Sequence, residues 1–148
     1  VKDDLILAVD EDTNAFNAYM EARRLPANTA DEKVLREQRM QDGLKAAVRV
    51  PFRTAELSYA AMQSARAAVE HGNPSSITDG AVGAQLGFAG VRGGIWNVLI
   101  NLKDITDAAF VSEMRERCDA LLKDARQLLD QIVVHVDARL TEPIKGKK

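Results

Sequence analysis

Asn97 and Asn101 stand one helical turn apart in the run Gly-Ile-Trp-Asn-Val-Leu-Ile-Asn-Leu. Both side chains leave the same side of a helix. A buried amide demands partners, so such a pair either satisfies a loop and fixes helix register or orients a substrate amide or heterocycle. Near the start, Asp10 falls on one face with Asn14 and Asn17, with Asp12 turned away. A partly shielded carboxylate there is a proton acceptor or donor; an unshielded one is part of a solvated face. Arg53 and Glu56 follow Pro51 at i,i+3 spacing, which suits a modest salt bridge. Asn73, Ser75, Ser76 and Asp79 surround a turn before the most apolar segment. Ser76 and Asp79 have the spacing of a capping box, while the exposed amides of a helix start also suit a carboxylate or another anion. Arg92 interrupts that segment and must reach water, a carboxylate or an anionic ligand.

The elements that carry these residues are unusual at one point. Gly80, Gly83, Gly87, Gly90, Gly93 and Gly94 lie in a single predicted helix. Each interior glycine costs a helix about 1 kcal/mol against alanine. Gly80, Gly83, Gly87, Gly90 and Gly94 step by three or four and leave one face nearly bare backbone. Another helix, or a flat ligand, gains close approach to such a face.

The remaining pattern is helical throughout. Leu5, Val9, Asp12/Thr13, Phe16 and Met20 trace one side of a helix over residues 3–24. Thr29 and Glu32 form a capping box that opens the next helix, and Pro51 is expected to end or kink it. A further segment runs from about residue 52 to 70, with Gly72 suited to a left-handed stop. The glycine-rich helix reaches about Lys103. Thr106 is the expected cap of a last helix of about 33 residues, whose final turns extend far enough to pack on a neighbour. No segment sustains the two-residue alternation of a strand. The expectation is an all-α antiparallel bundle of four or five long helices forming one domain.

Composition excludes several classes. Of 148 residues, 20 are basic and 22 acidic, so the net charge of −2 favours neither nucleic acid nor an anionic membrane. No uncharged apolar run is long enough to span a bilayer. Cys118 is the single cysteine and His71 and His135 are the only histidines, so zinc-site spacing is absent. One cysteine also fits a reducing compartment such as the cytoplasm, with Cys118 read as a small helix residue. The first residues, VKDDLILAVDED, do not read as a signal peptide, and the closing PIKGKK reads as a frayed basic tail. The first helix begins without an N-cap, as though its earlier part were missing.

Several segments together resemble a known family. These are VDEDTNAFNAYMEARRLP, VPFRTAEL, HGNPSSITDGAVGAQL and NVLINLKDITDAAF, in that order. They are similar to the cyclodeaminase domain of formimidoyltransferase-cyclodeaminase and its relatives, the bacterial methenyltetrahydrofolate cyclohydrolases. The agreement through RRLPANTADEK and NVLINLKDITDAAF favours the first branch. The proline- and glycine-rich front of such domains has no counterpart here, which agrees with the abrupt first helix and marks residues 1–148 as an N-terminally incomplete domain.

The resemblance implies a formiminotetrahydrofolate cyclodeaminase, an ammonia-lyase of histidine degradation. It converts 5-formiminotetrahydrofolate to 5,10-methenyltetrahydrofolate and ammonia. The alternatives are a methenyltetrahydrofolate cyclohydrolase or a non-catalytic folate-binding or oligomerisation fragment. The tetrahydrofolate derivative enters as substrate, with or without a polyglutamate tail, and no separate cofactor or metal is implied. Asp10 and Asp79 become the acid–base candidates. Asn73, Asn97 and Asn101 become the residues that orient the folate, and Arg53 and Arg92 those that meet its glutamyl portion. The resemblance further implies a homodimer or higher homo-oligomer with the folate site near the interface, and a formimidoyltransferase domain in the parent.

Overall fold

The computed structural model describes residues 1–141, so the expected basic tail PIKGKK lies outside the described residues. Within them are four α-helices and no strand: α1 (Lys2–Arg23), α2 (Ala30–His71), α3 (Ile77–Asn101) and α4 (Ala108–Thr141). Short 3-10 turns at Pro74–Ser76 and Leu102–Asp104 bracket α3. The all-α bundle read from the sequence is the observed architecture, with four helices because the segments on either side of Pro51 are one.

The long α2 is the spine. Its start is the expected capping box: the Thr29 hydroxyl accepts from the Glu32 amide at 3.2 Å, and the Glu32 carboxylate accepts from the Thr29 amide at 3.1 Å. Pro51 sits inside it without ending it. A proline there leaves the carbonyl of residue 47 without its usual backbone donor. The Asn101 side chain supplies the missing donor, its Nδ2 reaching the Ala47 carbonyl at 2.8 Å. The expected break is therefore repaired by a residue from another helix.

Cross-helix pairs fix the directions. Gly43 meets Tyr19 and Arg53 meets Glu11, so α1 runs antiparallel to α2. Pro51 faces Gly94, Ser58 faces Gly90 and Val69 faces Gly80, so α3 is antiparallel as well. Lys45–Asp107, Glu56–Arg117 and Arg66–Gln131 rise together, so α4 is parallel to α2. The core lies between α2, α3 and α4, where Val48, Met62, Val91, Val98, Met114 and Ile132 are almost completely buried. A fully buried side chain of this size contributes about 1.5–3 kcal/mol. α1 packs differently. Its buried residues are Ala8, Ala15 and Ala22, a seven-residue spacing of small side chains, while Val9 and Phe16 stay exposed.

Two helix ends differ from the sequence reading. Gly72 is extended, with φ −81° and ψ −169°, and not left-handed. Its lack of a side chain is required because a Cβ would collide with the Ala68 carbonyl. α4 is capped by Asp107 in place of Thr106: Asp107 Oδ1 accepts from the Phe110 amide at 3.1 Å, and Oδ2 accepts from Lys45 Nζ at 2.7 Å. Gln41 holds the approach to this cap, donating to the Asp104 carbonyl and accepting from the Thr106 amide.

Candidate functional site

The α2–α3 contact explains most of the glycine face. A Cβ at Gly94 would lie 2.6 Å from the Pro51 carbonyl oxygen and 3.0 Å from the Ala55 amide nitrogen. At Gly90 it would lie 2.5 Å from the Ser58 hydroxyl, and at Gly87 3.2 Å from the Ser58 carbonyl oxygen. Ser58 is itself buried and donates to the Thr54 carbonyl at 2.8 Å. These glycines thus allow two helices to touch backbone to backbone.

Where α1 crosses this seam, an open cleft of about 500 Å³ remains. α1 lines it with Leu5, Ala8, Val9, Asp12 and Thr13, α2 with Val50, Pro51 and Thr54, and α3 with Gly90, Gly93, Gly94 and Asn97. One wall is apolar, the floor is nearly bare helix, and a carboxylate, two hydroxyls and an amide provide directional contacts. Clefts of this size with a few convergent polar groups are the usual setting for small-molecule recognition.

The predicted residues separate into three groups. Asn97 lines the cleft, and its Nδ2 donates to the Gly93 carbonyl at 3.0 Å, which leaves its own carbonyl oxygen free to accept. Asn101, one turn on, faces Ala47 and repairs the Pro51 break. Arg53 stands beside the cleft and does not pair with Glu56. Its Nη1 reaches both Glu11 carboxylate oxygens at 2.8 Å, with Asp4 at 4.0 Å, so it fastens α1 to the spine. Glu56 instead meets Arg117 of α4 at 3.3 Å. The cross-helix partners win because both lie opposite the arginine, whereas an i,i+3 pair on an exposed helix gains little. Arg92 stacks over the Trp96 ring at 5.0 Å.

Asn73 and Asp79 lie at the other end of α3. From Asp79 to Gly93 the helix climbs about 21 Å. Asn73 Oδ1 accepts from the Ser75 amide at 3.0 Å and shapes the 3-10 turn. Ser76 makes no side-chain cap, so the expected Ser76–Asp79 box is not formed; the turn already places the chain on its helical path. Asp79 is exposed. Asp10 and Asp12 are both exposed, and of the two only Asp12 lines the cleft. A signal for Asp12 existed in the sequence: it sits with Leu5, Val9 and Thr13 on the apolar side of α1, and a carboxylate on that side is the exception.

Cys118 is buried at 1% exposure, and that burial pushes its thiol up to about 11. It packs in the core and does not act as a nucleophile near neutral pH. No helix among the described residues is long and apolar enough to cross a membrane.

Comparison with known proteins places this geometry in context. A family model described as Formiminotransferase-cyclodeaminase matches residues 1–120. Chicken (Gallus gallus) formimidoyltransferase-cyclodeaminase is 42% identical over 125 residues, covering 84% of this chain and 23% of the relative. The pig (Sus scrofa) protein of the same name is 37% identical over 131 residues, covering 88% and 24%. A methenyltetrahydrofolate cyclohydrolase of Methylorubrum extorquens is 33% identical over 132 residues, covering 89% of this chain and 64% of the relative. The chain thus spans about a quarter of the chicken and pig proteins.

Proposed function

The chain belongs to the formiminotransferase-cyclodeaminase family, and from that premise we propose that it supplies the folate cleft of a formiminotetrahydrofolate cyclodeaminase. The observation that carries the reading is the cleft itself, with Asp12 and Asn97 set around a nearly bare helix floor. The pterin ring lies on the α3 backbone, and the Asn97 carbonyl accepts from its amide-like edge. In the reaction, N10 attacks the formimino carbon, the C–N bond to the terminal nitrogen breaks, and ammonia departs. The formimino group reacts as its protonated amidinium, so one proton passed from N10 to the departing –NH2 completes ammonia and leaves the cationic methenyl bridge. A single carboxylate in the cleft relays that proton and ends as it began, and Asp12 is the one α1 presents there. Holding N10 against the formimino carbon supplies the rest of the acceleration. Asn73 and Asp79 are too far along α3 to touch the same ring. Neither Arg53 nor Arg92 lines the cleft, and either meets a glutamyl chain only by loosening the Glu11 pair or the Trp96 stack.

A second reading is supported by the Methylorubrum extorquens relative, whose name describes hydrolysis of the methenyl bridge. The test supplies the full-length protein with 5-formiminotetrahydrofolate and follows ammonia together with methenyl-folate absorbance. Release of both in equal amounts is expected. Hydrolysis of methenyl-folate without cyclodeamination selects the cyclohydrolase reading, and folate binding with neither reaction selects a binding module.

A further inference from the structure

Among the described residues of this chain, nothing packs against Gly93 that would require a glycine. A Cβ built there meets nothing within 4 Å, neither α2 nor the side chain of Asn97. Its neighbours in the cleft differ: Gly90 is held against Ser58 and Gly94 against Pro51 and Ala55. No positive φ requires it either, since no glycine among the described residues has one. Glycine in a helix interior is nonetheless the poorest choice short of proline. The contacts among the described residues therefore do not account for it, while Gly93 lines the cleft.

We propose that Gly93 is a clearance residue that sets the size and shape of the ligand. Its missing side chain opens the stretch of α3 backbone between Asp12 and Asn97 to a flat, hydrogen-bonding ring. Adding a Cβ fills that space from below and lifts the ring away from the Asn97 carbonyl and the Asp12 carboxylate. This rests on the folate reading above and narrows it to one determinant of the ring-binding position. Gly83 provides an internal control. Its Cβ would make one ordinary contact, 3.9 Å from Ala65, and it lies outside the cleft.

The test compares Gly93→Ala, Gly93→Val, Gly83→Ala and Gly90→Ala in the full-length protein. It reads thermal stability and binding of 5-formyltetrahydrofolate, a stable folate. Gly93→Ala is expected to keep or raise the melting temperature and weaken folate binding about tenfold, with Gly93→Val weaker again. Gly83→Ala keeps both stability and affinity, and Gly90→Ala loses stability because Ser58 must move. A fall in stability for Gly93→Ala like that of Gly90→Ala overturns the inference, because it reveals a packing role. If the wild type binds folate and Gly93→Val binds equally well, the inference falls and the functional reading stands. If the wild type binds no folate, both fall together.

Discussion

At the residue scale, Asp10 and Asp12 of α1 are distinguished by direction alone. Asp10 and Asp12 share an exposed, polar neighbourhood in sequence, yet only Asp12 faces the cleft. General acid–base groups contribute about 10²–10⁴ in rate. Asp12→Asn in the full-length enzyme is therefore expected to lower kcat about 100-fold or more with folding intact, and Asp10→Asn to leave it within about threefold. Equal turnover of the two variants removes Asp12 from the mechanism. Cys118 gives a second residue-scale test. With the thiol buried and its pKa at about 11, the native protein should react with a thiol-specific reagent at pH 8 far more slowly than the denatured protein. Rapid labelling of the folded protein would contradict this burial.

At the element scale, the bond from Asn101 to Ala47 explains why α2 continues through Pro51. Leaving a buried carbonyl unsatisfied costs about 1–3 kcal/mol, and because Ala47 is only partly buried, Asn101→Ala should lower stability by about 1 kcal/mol, the low end of that range. In a Pro51→Ala background the backbone regains its own donor for Ala47, so the same substitution should cost measurably less. A double-mutant cycle on chemical denaturation reads the coupling, and strict additivity would argue against the repair. The start of α4 carries a pH signature. Lys45 and then the Phe110 amide hold the Asp107 carboxyl below the ordinary aspartate range. A carboxylate depressed on folding adds stability that is present above its unfolded pKa and is lost as pH falls through the folded one. The stability gap between wild type and Asp107→Asn should therefore be steady at neutral pH and close below about pH 4. A gap that persists there would assign the effect to something other than this charge.

These particulars also mark what the sequence could disclose. The 3.6-residue patterning and the Thr29–Glu32 box are local, and they located the helices within a few residues. Pro51 reads in sequence as an end or a kink, and α2 does not end there because the missing donor is replaced by Asn101 of another helix, beyond any local pattern. The Arg53–Glu56 spacing misleads for the same reason, since the partner Glu11 is on another helix. Within the site, Asn97 and the glycine floor were legible from spacing. Asp12 is harder to read, because Asp10, Asn14 and Asn17 form the more conspicuous polar face on the other side of α1.

At the scale of the whole molecule, the bundle leaves apolar surface that its own described residues do not cover. On α3, Val82 and Leu86 are 58% and 69% exposed and sit one turn apart; on α1, Val9 and Phe16 are 66% and 60% exposed. Single exposed apolar residues need no explanation, but Val82 and Leu86, adjacent on one face of α3, form a pair that suits burial in a larger assembly. We propose that this face joins a second copy of the chain, and the resemblance to an oligomer-forming family motivates the same expectation. Val82 and Leu86 lie outside the cleft, which lets assembly be separated from ligand contact. Sedimentation of the full-length protein should show a dimer or larger species, and Val82→Lys with Leu86→Lys should shift it to a smaller one while circular dichroism stays helical. A charged pair costs little on a free surface and much on a buried one, so an unchanged sedimentation coefficient would place the interface elsewhere. A wild type that remains monomeric at high concentration would reject self-association altogether. If the smaller species also loses turnover while its melting temperature holds, the second copy completes the site. In that case the Asn73–Asp79 end of one protomer becomes the natural candidate to meet the cleft of its partner.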